Sequence, residues 1–106
     1  MKNLLFVSIL TIFVLLSSNV LAGDAAAGKT VYMQCQACHG TKGEGNKALK
    51  APKLAGQQAW YVESSLKKFK NGKRGAGDPD AAAMIPFANM INDKQIADVA
   101  AFIETL

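Results

Sequence analysis

Cys35-Gln36-Ala37-Cys38-His39 decides how this 106-residue chain is read. Two thiols three positions apart lie on one helical turn. Each can add to one vinyl group of a haem while the adjoining imidazole reaches the iron. Other uses of a cysteine pair ask for residues the chain lacks. A thioredoxin-like redox pair wants a strand leading into the cysteines within a βαβ unit, and no strand pattern precedes Cys35. A structural zinc site wants two more Cys or His ligands, yet these are the only two cysteines and His39 is the sole histidine. A purely local disulfide explains neither the histidine nor the long loops on its C-terminal side.

Upstream of the motif, Lys2 precedes an apolar run from Leu4 to Leu16, followed by Ser17-Ser18-Asn19 and then Val20-Leu21-Ala22. This is the layout of a secretory signal, with cleavage expected after Ala22. A spanning helix needs roughly 20 apolar residues, and this run meets polar residues well before that, so no stable membrane span is expected once 1–22 is removed. The expected mature product is a single domain over 23–106, exported to the periplasm. Domains of this size bury only about 60% of the surface their unfolded chains expose, and a bound haem supplies the missing core. The whole sequence carries a net charge of +4, of which Lys2 contributes one. That bias is too mild and too scattered for nucleic acid, but it favours acidic partner surfaces.

Downstream, the periodicity is helical. Asp24 caps a helix that Ala25, Ala26 and Ala27 propagate, and Ala27, Val31 and Cys35 share a face flanked by Tyr32, which predicts a first helix over 25–37. From Gly40 to Gly56 the composition is that of a loop, long enough in so small a domain to wrap something. Val62, Leu66 and Phe69 mark a helix over 58–70, with Glu63 and Lys67 paired four apart and Gly72 placed for a left-handed stop. A second loop runs from Asn71 to Asp80. Asn92 then caps a last helix, with Gln95 completing a capping box and Ile96, Val99, Ala100 and Ile103 forming its apolar stripe. No strand pattern is present, so the fold class is all-α, with three main helices and long loops around one haem.

A six-coordinate iron needs a second axial ligand, and without a second histidine the soft thioether of methionine is the natural donor. Met33 lies on the helix that delivers His39 and cannot reach the other haem face. Met84 and Met90 remain. Met84 is expected in a loop just before Pro86, while Met90 suits the role of core filler beside the last helix.

The pentapeptide, Pro52-Lys53-Leu54-Ala55-Gly56-Gln57 and the segment Met84 to Leu106 together resemble the class I c-type cytochromes. The likeness is greatest to small bacterial members and to one lobe of the dihaem periplasmic cytochromes, and it covers essentially all of 23–106. The resemblance implies one haem c bound through Cys35 and Cys38, with iron ligated by His39 and Met84. It implies that the Pro52 carbonyl accepts the other ring N–H of His39, and that Tyr61 donates to a haem propionate, with neighbouring Trp60 and Arg74 as further candidates. It also implies that the terminal helices cross where Gly28 meets Phe102. The function expected is a monomeric, non-enzymatic single-electron carrier between larger redox proteins with acidic docking surfaces, poised at a positive midpoint potential. The rival is a haem enzyme or gas-binding protein with an open sixth site; it would need a labile Met84 and a distal acid-base residue, for which only Arg74 is available.

Overall fold

The computed structural model describes residues 23–106; the expected leader over 1–22 and its cleavage lie outside the described residues. Five helices follow one another: α1 (Ala25–Tyr32), α2 (Gln36–His39), α3 (Ala59–Lys70), α4 (Met84–Asn89) and α5 (Asp93–Glu104). No strand occurs among the described residues, where pairing is limited to an isolated antiparallel bridge between Asn46 and Ala51. None of these helices is long and apolar enough to cross a membrane.

The helix ends follow the capping signals. The Asp24 carboxylate accepts from the backbone of Ala26 at 2.9 Å and of Ala27 at 3.3 Å, opening α1. Asn92 and Gln95 exchange reciprocal bonds of 2.9 Å at the start of α5. Gly72, just past α3, adopts φ +76°, and Lys67 pairs with Glu63 at 2.8 Å along the exposed side of α3.

Two stretches differ from expectation. The helix expected over 25–37 stops at Tyr32 and resumes at Gln36. Between them Met33, Gln34 and Cys35 each donate to a carbonyl three residues back, a tighter winding that a 3.6-residue period does not reveal. Met84, expected in a loop, is instead the first residue of α4. Pro86 does not prevent this, because it falls in the first helical turn, where a backbone N–H has no intrahelical partner to lose.

The core lies where α1 and α3 pack on α5. Tyr32, Val62, Ile91, Ile96, Val99, Ala100 and Ile103 form its buried cluster, so the whole predicted stripe of α5 is inside. The terminal helices cross closely because Gly28 has no side chain: a Cβ there would sit 1.9 Å from the Asp98 carbonyl oxygen. Phe102 packs one turn further on, its ring 5.2 Å from that of Tyr32. Thus the glycine meets α5 backbone and the aromatic meets Tyr32. The nearly enclosed Asp98 carboxylate ties the crossing together, accepting from the Asp24 backbone N–H and from Lys94, each at 2.8 Å.

Candidate cofactor site

A cleft of about 430 Å³ opens on one side of the core, and Cys35, Cys38, His39, Pro52, Tyr61 and Met84 all line it. Each arrives on a different piece of the frame. The tightened turn after α1 carries Cys35, α2 carries Cys38 and His39, and the long loop carries Pro52. Tyr61 comes from the first turn of α3 and Met84 from the first turn of α4. Val62, Leu66 and Phe69 of α3, Phe87 of α4, and Val99 and Ile103 of α5 supply apolar wall.

His39 is only 6% exposed, and its Nδ1 lies 2.8 Å from the Pro52 carbonyl oxygen. A carbonyl only accepts, so Nδ1 carries the proton of this contact, which leaves Nε2 as the ring nitrogen available to a metal. The loop is folded to deliver this contact. Gly45 donates its N–H to the His39 carbonyl at 2.8 Å, and at φ +80° a Cβ on it would lie 2.7 Å from the Lys53 nitrogen and 2.9 Å from the Pro52 carbonyl carbon. Only glycine lets the Pro52 segment lie this close beneath the histidine. Asn46 and Ala51 close the intervening turn with bonds of 2.8 and 3.0 Å.

The two sulfurs are unbridged, Cys35 half-buried and Cys38 exposed. Burial pushes the free Cys35 thiol up to about 11, so before it is joined to a cofactor it is held in the protonated form. No group of three or more His, Cys, Asp or Glu side chains able to hold a metal ion occurs among the described residues. What the cleft offers is two thiols, one imidazole and one thioether on an apolar wall. That set fits an iron porphyrin held by its periphery and by its metal, in a space within the roughly 300–1,000 Å³ of cofactor sites.

The remaining expectations divide. Arg74 lines the cleft, its guanidinium stacked 4.8 Å over Phe69 and donating to Ser65 Oγ at 2.9 Å. Trp60 does not line it: it stands 67% exposed, edge-on to Tyr61 at 5.8 Å, and donates to the side-chain oxygen of Gln58. Met90, expected as core filler, is 59% exposed at the end of α4, because that short helix turns its Ala88 face inward instead. Phe87 and Leu49 were not foreseen in the cleft. Phe87 follows Met84 by one helical turn, a spacing that signals once α4 is recognised, whereas Leu49 is a lone aliphatic in a polar loop. Lys50, which pairs with Asp80 at 4.0 Å, and Lys53 stand with Arg74 around the cleft.

The family model described as Cytochrome c matches residues 25–106. Cytochrome c-554(548) of Halomonas halodenitrificans is 48% identical over 81 residues, spanning 76% of this chain and 94% of that protein. Cytochrome c-554(547) of Halothiobacillus neapolitanus is 39% identical over 92 residues, 80% of this chain and 99% of that one. Among solved structures, reduced recombinant cytochrome c4 from Pseudomonas stutzeri superposes with a TM-score of 0.69 at 28% identity, over 77% of this chain and 47% of that chain. With the thiol pair, the imidazole and the cleft brought together on an all-α frame, these likenesses make the chain a member of the cytochrome c family, a haem-based electron carrier whose haem c is bound covalently through Cys35 and Cys38.

Proposed function

We propose that the chain is an exported, periplasmic carrier of single electrons in which His39 and Met84 ligate the haem iron. The observation that carries this reading is the Nδ1 contact of the buried His39 with Pro52, made on the same cleft that Met84 lines. The bound haem supplies a one-electron iron couple. The chain's own residues hold and tune it. Pro52 fixes the tautomer and plane of His39 and raises its basicity. The Met84 thioether, a weak donor, favours the ferrous state and sets a positive midpoint potential. The Tyr61 hydroxyl donates to a propionate, with Arg74 as a second donor held in place by Phe69 and Ser65. Val62, Leu66, Phe69 and Phe87 exclude water. Lys53 and Arg74 at the cleft steer acidic faces of larger redox proteins towards it, and the carrier works as a monomer.

Spectra of the purified holoprotein in oxidised, reduced and carbon-monoxide-treated forms test the ligand set. A methionine-to-iron charge-transfer band in the oxidised form and no carbon monoxide adduct in the reduced form are expected. An adduct formed readily by the reduced protein would mean an open sixth site and overturn the reading.

A further inference from the structure

Tyr32 is 2% exposed, yet it brings a hydroxyl into the apolar core between α1 and α5, where a phenylalanine ring would fill the same space. A buried hydroxyl costs stability unless it is bonded, and this one donates to the Gly40 carbonyl at 2.6 Å. The bond spans eight positions, from the last residue of α1 to the residue just after His39, so it brackets the stretch that carries Cys35, Cys38 and His39. Burial pushes the hydroxyl above its ordinary 10, which keeps it a donor throughout the physiological range. The Gly40 carbonyl also accepts from the Gly43 N–H at 3.1 Å, using both of its lone pairs. From Gly43 the connections run to the segment beneath the histidine. Its carbonyl accepts from Leu54 at 2.8 Å and from Ala55 at 3.0 Å, just after Pro52, while Gly45 donates to the His39 carbonyl at 2.8 Å. The circuit closes at the Pro52 carbonyl, 2.8 Å from His39 Nδ1. Tyr32 joins this circuit to the core, because its ring packs against that of Phe102 within the buried cluster.

We infer that Tyr32 is a positioning residue for His39: through Gly40 and Gly43 it holds the turn that presents the Pro52 carbonyl to the imidazole, and so lowers the midpoint potential of the iron. The inference rests on the ligation of His39 proposed above. A firmly held Pro52 contact makes the imidazole more basic, and a more basic ligand favours ferric iron. Tyr32 does not line the cleft, so this influence passes through backbone rather than through contact with the cofactor. The hydroxyl therefore does something that ring packing does not, which separates it from the other members of the core cluster.

The test is Tyr32→Phe, which keeps the ring and its packing on Phe102 and removes only the donor. In the ferrous holoprotein, exchange of the His39 Nδ1 proton with solvent, followed by NMR, is expected to quicken about fivefold, the change an average hydrogen bond makes to an opening equilibrium. The midpoint potential is expected to rise by up to about 40 mV, that fivefold converted at 59 mV per tenfold for one electron. Phe102→Leu is the control: it loosens the same packing while keeping the hydroxyl, and it should lower the denaturant midpoint but leave the potential and the Nδ1 exchange as in wild type. An unchanged potential in Tyr32→Phe overturns the inference, as does a shift of equal size in Phe102→Leu. Ring-current shifts of the His39 resonances in the wild-type holoprotein report ligation independently. Their absence would overturn the proposed ligand set as well, so the two failures are distinguishable.

Discussion

Met84 and His39 divide the work of the cleft by what their side chains can donate. His39 is locked, since its Nδ1 proton is committed to Pro52 and its ring is buried. Met84 stands on a two-turn helix opened by Ala83 without a side-chain cap, and it lines the cleft that His39 also lines. Met84→Ala is expected to abolish the charge-transfer band and to let the reduced protein bind carbon monoxide. Its midpoint should fall by on the order of a hundred millivolts, a fraction of the roughly 0.8 V that axial ligands command. Met90→Ala, at an exposed position, is expected to change neither. Potentiometry and visible spectra read both outcomes. The thiols and imidazole were legible in the sequence because their spacing is itself the chemistry. The placement of Tyr61 inside the cleft and Trp60 outside it was not, since adjacent residues on a helix turn 100° apart and composition carries no record of which way the helix is rolled.

The crossing of α1 on α5 is backbone against backbone, and small changes there are not absorbed. Gly28→Ala would drive a methyl to 1.9 Å from the Asp98 oxygen and 2.9 Å from the Val99 nitrogen, atoms that cannot rotate away. A loss of about 2–3 kcal/mol is expected, appearing as a lower denaturant midpoint with unchanged slope. Asp98 contributes in a pH-dependent way. The Lys94 ammonium, then the Asp24 backbone N–H, hold its carboxyl below the ordinary 3.8, so folding stabilises the charged form. That contribution is complete above the ordinary carboxylate range and is lost as pH falls through the lower folded value. Thermal midpoints of wild type should therefore drop more steeply than those of Asp98→Asn as the pH is lowered below about 4. Of the elements, α3 and α5 were plain in the sequence because each has a long stripe and a marked end. The short α2 and α4 were not, because one or two turns give too few repeats to establish a period.

Across the whole molecule, charge is arranged unevenly rather than strongly. The full sequence is only +4, yet the cofactor cleft gathers Lys50, Lys53 and Arg74 against a single carboxylate, Asp80. Electron transfer with an acidic protein partner should slow as salt rises, since exposed charges are screened beyond about 8–10 Å at physiological strength. Stopped-flow rates over a salt series check this, and a flat profile would remove electrostatic steering. The bond between Asp24 and Asp98 spans 74 positions, nearly the full described length. Contacts of so long a sequence separation form slowly, because the intervening loop is costly to close. Until α5 is in place, α1 and the half-buried Cys35 beyond it lack the apolar platform that covers them.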